Sequence, residues 1–342
     1  MKNKIAIASA FLAATSFSMG EIVVNEFLSF EGFVDMSYSH SDADVDFLGS
    51  DSSNSYAIDQ VEISWLFNFD AVTAQIDLEY EDGDDDDNVE QAFVNLALSN
   101  GDVLTAGRYA SMLGFEAYEP TGLYQYSTAY TLGGDDLSAA SEYVQGVKYT
   151  RTTDTTMLSI SLQDQSFGTD AGRLGGDSND AGGLLGEDID SSYAVEVAGS
   201  IDLGNGFTVF AGGAFEDADS GNNELLNVYA TYETGAWLFA AEINVSEYDE
   251  DGDNVDGTTG LVMANYAYSD VASVTGRLST INYEQGDVEL EATKYTVAHN
   301  LALADNLLLV TEISYEDGDL DDGGDTIDGN NLVFAAELLF SF

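Results

Sequence analysis

The chain has 342 residues, no Cys, one Pro and a formal charge of −55 from 63 acidic and 8 basic residues. So few basic groups exclude nucleic-acid binding, which needs phosphates neutralised, and adhesion to an anionic membrane through basic patches. A hydrophobic fraction of 44% excludes a disordered chain, and the lack of Cys excludes disulfide staples.

Residues 1–20 read as a secretory signal peptide. Lys2 and Lys4 supply the positive start, and Ile5 to Phe17 is apolar or small. Ser18 and Gly20 fit a cleavage site before Glu21. Cleavage would remove Lys2 and Lys4 and keep every acidic residue. No later stretch is apolar for the length a helix needs to cross a bilayer, which leaves a secreted β-protein or a transmembrane β-barrel.

From there the sequence alternates. Leu28, Phe30, Val34, Met36 and Tyr38 share one face, with Ser29, Glu31, Asp35 and Ser37 on the other. Val61, Ile63, Trp65, Phe67 and Phe69 alternate with Glu62, Ser64 and Asn68. Val72, Ala74, Ile76, Leu78 and Tyr80 alternate with Thr73, Gln75, Asp77 and Glu79. The last segment places Leu332, Phe334, Ala336, Leu338, Phe340 and Phe342 together. Period two is the signature of a strand. Sixteen such segments are predicted: 27–39, 56–69, 72–81, 89–99, 103–109, 143–151, 156–164, 192–202, 207–215, 225–233, 236–247, 258–268, 271–283, 289–301, 307–316 and 331–342. Most are long enough to cross a bilayer at a tilt.

The connections alternate too. Short turns are expected at Asp70, Asn100-Gly101, Thr153-Asp154, Gly204-Asn205, Thr234-Gly235, Ser269-Asp270 and Ala304-Asp305. The others are longer and acidic, among them Asp82 to Asp87, Asp249 to Asp256 and Asp317 to Asp328. The predicted fold is all-β: one transmembrane antiparallel up-and-down β-barrel over 21–342, of about 16 strands, with short periplasmic turns and long acidic external loops.

A soluble sandwich would also alternate, but its strands are shorter. Ala194, Ala198, Ala211, Gly213, Ala230, Ala241, Gly260 and Ala264 are expected on the apolar face, where they would fill a soluble core poorly but cost little against lipid. Glu31, Asp35, Asp77, Glu79, Glu196, Glu242, Glu312 and Glu337 lie on the polar face. Buried without partners each would cost several kcal/mol, whereas a wetted lumen accommodates them. Trp65, Tyr80, Trp237, Tyr266 and Tyr268 are candidates for aromatic girdles.

Phe342 closing an amphipathic last strand resembles the Gram-negative porins. That resemblance implies an outer-membrane location, a homotrimer, a terminal Phe read by the barrel-insertion machinery, and a third external loop folded into the lumen. The corresponding connection here, about 110–142, is the longest. Gly107-Arg108-Tyr109, followed by Leu113-Gly114-Phe115-Glu116 and Ser127, is similar to the β-barrel porin-2 (OmpL-like) group. Porin eyelets carry several Arg on one wall, and this chain has few.

By alternation Lys148, Arg277 and Lys294 face the lumen, and Arg108 is expected to face it too, beside the less regular register at Tyr109. Arg151 falls at a short turn and Arg173 in an external loop. The basic set could oppose Glu116, Glu119, Asp135, Asp136 and Glu142 of the long loop and create a transverse field at a constriction. It could equally form isolated ion pairs on the wall. So acidic a lumen is expected to concentrate cations. Asp249, Asp251 and Asp253 are weak divalent-metal candidates in a segment without EF-hand spacing; a solvated acidic loop explains them as well. Neither His40 nor His299 has a readable triad, and no nucleophile elbow, zinc spacing or phosphate loop is present. The expectation is a channel without cofactor, passing small hydrophilic solutes and cations and not an enzyme. A substrate-selective channel, or a surface barrel with ion- or partner-binding acidic loops, is the alternative.

Overall fold

The computed structural model describes residues 20–81, 88–116, 118–133, 135–138, 140–167, 193–217, 221–250, 253–324 and 326–342. The segment 1–19, all of Asp82 to Asp87 and Arg173 lie outside them.

Sixteen long strands form one closed antiparallel sheet. They are β1 (Leu28–Val45), β2 (Gly49–Phe69), β3 (Val72–Glu81), β4 (Asn88–Ala97), β5 (Val103–Ala110), β6 (Tyr143–Thr152), β7 (Thr156–Gln163) and β8 (Tyr193–Gly204). Then follow β9 (Phe207–Asp217), β10 (Asn222–Thr234), β11 (Trp237–Glu250), β12 (Asp253–Ser269), β13 (Ala272–Gln285), β14 (Val288–Ala304), β15 (Leu307–Asp321) and β16 (Thr326–Ser341). Each pairs with the next, and β16 closes on β1 from Gly329↔Val45 to Ser341↔Phe33. Phe342 completes the seam by exchanging both backbone hydrogen bonds with Gly32, each at 2.9 Å. Closure leaves no edge amide to face lipid.

The seven short turns stand at one end, where Asp70 and Asn205 adopt positive φ. At the other end several strands run past the predicted segments. β1 and β2 stay paired to Val45↔Gly49, and β15 and β16 to Asp321↔Thr326. Both faces are polar there, so hydrophobic period disappears from the sequence while the backbone ladder continues. A polar ribbon of this kind is invisible to alternation.

The alternating faces segregate as the barrel requires. Ile243, Val245, Val262, Val297 and Ile313 are exposed on the outside, and Asp77, Glu196, Asn227, Thr275 and Glu312 are buried inside. Aromatic residues gather outside at the short-turn end: Trp237 stacks on Tyr266 at 4.4 Å and Phe30 leans on Trp65 at 5.5 Å. Tyr268 and His299 share a hydrogen bond of 2.7 Å there. Toward the other end Tyr38 meets Tyr56 at 4.7 Å.

Two of the expected lipid-facing alanines need correction. Ala194 and Ala198 share the parity of Glu196 and are fully buried inside the barrel. They lie inward because a connection crosses the lumen over them: Ala198 packs in one cluster with Leu113, Phe167 and Phe210. A larger side chain would displace that connection.

Candidate functional site

The connection from β5 to β6, hereafter loop three, leaves the wall at Ser111 and returns at Glu142. It bonds repeatedly to inward-facing side chains, which places it inside the barrel. Ser111 and the Met112 amide donate to Glu196, and the Gly114 amide donates to Asn227. The Phe115 amide (2.7 Å) and the Tyr130 hydroxyl (2.8 Å) donate to Glu242. The Ser127 amide and hydroxyl donate to Glu312, and the Gly133 amide to Glu316. Four carboxylates of the wall thus accept loop amides. Such charge-assisted bonds are worth about 1.5–3 kcal/mol each.

Apolar contact supports the same docking. Phe115, Tyr124 and Tyr130 pack on Leu238, Ala240, Leu261, Met263 and Ile281. Those wall residues face inward, opposite Phe239 and Val262 on the lipid side. Strands β11–β13 are therefore apolar on both faces where the loop lies. The only Pro of the chain starts a single helical turn, Pro120–Gly122, and Thr131–Leu132 pairs with Asp135–Asp136 in a small hairpin.

The predicted charges fall in several places. Arg277 on β13 is buried and pairs with Glu116 at 2.6 Å. It also donates to the carbonyls of Ser127 (2.8 Å) and Thr128 (2.9 Å), so it anchors the loop. Lys294 on β14 pairs with Glu316 on β15 at 3.2 Å and reaches the carbonyls of Thr128 and Thr131. Lys148 on β6 faces inward with its ammonium 4.1 Å from the centre of the Tyr109 ring. Arg108 is 3% exposed; its Nε donates to the Glu90 carbonyl at 2.7 Å and its guanidinium lies 5.6 Å from the Tyr143 ring centre. Gly107 makes this possible: its φ of +129° breaks the alternation, and a Cβ there would run into the Ala92 carbonyl oxygen.

Glu142 is exposed at the foot of the loop. Asp135 and Asp136 lie on the hairpin, and their side chains, like those of Asp249 and Asp253, are outside the described set; Asp251 is not described at all. The structure thus joins Glu116 to Arg277 in a closed pair.

Glu119 goes elsewhere. It approaches Glu62 of β2 and Glu90 of β4, with one carboxylate oxygen of each within 4.8 Å of the others. Tyr143 donates to Glu119 at 2.7 Å, and Gln60 donates to Glu119 and to Glu79. Burial, with a smaller contribution from the Asp77 charge, holds the Glu119 carboxyl above the usual range. Glu62 and Glu90 did not stand out in the sequence. Glu62 was one alternating polar residue among many. Glu90 enters the lumen through a bulge opposite Asp77 and Leu78, which turns Glu90 and Gln91 inward together. On the same wall Asp35 and Glu337 are also buried, while Asp77 accepts from Gln75 and Gln91. The loop reaches this wall through Glu119 and through Tyr126, whose hydroxyl is 3.3 Å from Ser37.

Residues 28–342 match the family model described as "Putative beta-barrel porin-2, OmpL-like". The chain belongs to this family. No curated protein matches it. Among solved structures it resembles the trimer form of in-vitro folded OmpT of Vibrio cholerae, with 14% identity and a TM-score of 0.60 over 92% of this chain and 99% of that one. It also resembles the outer membrane channel DcaP of Acinetobacter baumannii, with 12% identity and a TM-score of 0.62 over 92% and 97%. An anion-selective porin from Comamonas acidovorans has 15% identity and a TM-score of 0.58 over 92% and 99%. These likenesses concern the barrel fold.

Proposed function

We propose that this porin-family barrel is a water-filled channel for passive diffusion of small hydrophilic solutes and ions in the outer membrane of a Gram-negative bacterium. The observation that carries this reading is the closed barrel with an apolar outside and an interior lined by Asp, Glu, Asn, Ser and Thr. The mechanism is size exclusion at loop three plus electrostatic bias, with no conformational cycle and no bond chemistry. Residues 1–20 would direct export, Phe342 would serve barrel insertion, and the protein would assemble as a homotrimer embedded in outer-membrane lipid. The trimer form of OmpT supports that last point by fold alone.

Cation preference is the finer part of the proposal. The fold does not decide it, since an anion-selective porin shares the fold. The reading rests on charge. Carboxylates on the Glu196–Glu316 side are engaged by loop amides, whereas Asp35, Glu62, Glu79, Glu90 and Glu337 line the opposite wall. A wall of one sign concentrates counter-ions. The test is planar-bilayer recording of the refolded protein across a KCl gradient. Discrete ohmic steps with a cation-directed reversal potential are expected; anion preference would refute the electrostatic part.

One observation favours a second reading, a barrel whose lumen is occluded. Loop three bonds across the lumen, from Ser37 and Gln60 on one side to Glu196 and Asn227 on the other. Correctly folded protein that inserts but gives no conductance steps would establish it.

A further inference from the structure

We infer that Glu62, Glu90 and Glu119 form a divalent-cation site, for Ca²⁺ or Mg²⁺, that ties loop three to the barrel wall. Three observations converge. One oxygen from each carboxylate lies within 4.8 Å of the others. Two elements of the wall and one of the loop contribute, so the cluster is made by the docking of the loop and not by sequence proximity. Finally, Glu62 and Glu90 are 4% and 6% exposed, and each carries a buried oxygen, Oε2, with no hydrogen-bond donor.

Bare buried carboxylate oxygens in contact with one another are costly unless a cation or proton sits between them. Nearby donors go to other atoms: Ser64 satisfies Glu62 Oε1 and Tyr143 satisfies Glu119 Oε1. Hard carboxylate oxygens suit Ca²⁺ and Mg²⁺. Calcium–oxygen distances of about 2.3–2.6 Å allow one ion to reach oxygens on opposite sides of it that are about 5 Å apart, which the cluster meets. Magnesium needs a tighter set completed by water. The site would hold the first half of loop three, just before the turn at Pro120, while Arg277 and Lys294 hold the second half.

The experiment is isothermal titration of the chelator-stripped, detergent-folded trimer or monomer with CaCl₂, and separately with MgCl₂. A background of about 0.15 M NaCl screens the exposed acidic ribbons. Wild type should show one saturable component above the weak surface binding, and Glu119→Gln should weaken it at least tenfold. Glu119 lies on the loop and not in a strand, so this variant keeps the barrel ladder; Glu90→Gln gives a second, independent reading. Asp319→Asn, on the exposed ribbon, should leave the component unchanged. No saturable component in wild type, or the same component in Glu119→Gln and Glu90→Gln, would overturn the inference. A titration reads binding directly, so its failure leaves the channel reading standing, and absent conductance leaves the site standing.

Discussion

Replacing Arg277 by Met should loosen loop three against the wall without unfolding the barrel. The guanidinium is buried and makes a 2.6 Å ion pair with Glu116, and it donates to the carbonyls of Ser127 and Thr128. Met keeps the stem volume and removes every donor. Breaking a buried pair from one side costs about 3–5 kcal/mol, because the partner charge is left uncompensated. Glu116 retains two other donors, Gln125 at 2.5 Å and the Ala129 amide at 2.7 Å, so the lower end applies. About 3 kcal/mol shifts the docking equilibrium roughly a hundredfold. The barrel ladder does not pass through these contacts, and resistance of the folded band to SDS should persist. Single-channel recording should show larger or noisier steps. In R277M/E116Q the orphan charge is gone, and the double variant should move back toward wild type. Unchanged conductance in R277M, or a double variant as disturbed as R277M, would refute the anchoring role.

Other perturbations follow from the same contacts. The Glu119 carboxyl is held above the ordinary value of 4.5, chiefly by burial, so protonation favours the docked loop. Docking strength from this group is full below that value and is lost as pH rises through the elevated one. With chelator present, conductance noise should therefore grow with pH above about 4.5 and be flat in Glu119→Gln; an identical pH profile in both would contradict this. Gly107→Ala should lower the yield of SDS-resistant barrel, since positive φ costs a non-Gly residue about 1–3 kcal/mol and the new Cβ meets the Ala92 carbonyl; wild-type yield would be contrary. Deleting Phe342 removes two seam hydrogen bonds with Gly32 and should slow refolding into lipid vesicles; unaltered kinetics would argue against a role in closure.

Much of the barrel was legible because lipid on one side and water on the other impose period two over each spanning segment. Turns such as Asp70 and Gly101 were legible from residues that tolerate positive φ. Alternation is an incomplete guide in three physical situations. At Gly107 and at the Glu90 bulge, parity breaks and charged residues swing inward. Beyond the membrane, strands such as Ser41–Val45 have no apolar face to betray them. Beneath loop three, Ala198, Leu238 and Met263 are apolar and face inward because the loop, not lipid, covers them. The partners of loop three were illegible for another reason. Ser127 meets Glu312 across 185 residues, and one acidic residue among 63 gives no hint of which amide it will hold.

The claim beneath all of this is that consecutive side chains of one strand face oil and water in turn. The chain has no Cys, so introduced thiols can be read without background. Ala230 faces out beside Ala241, and Thr231 faces in beside Thr208. In lipid vesicles, Thr231→Cys should react with a charged, water-soluble thiosulfonate, and Ala230→Cys only with a bilayer-soluble maleimide. The opposite pattern, or equal labelling of both by the charged reagent, would contradict the assignment of lumen and lipid faces.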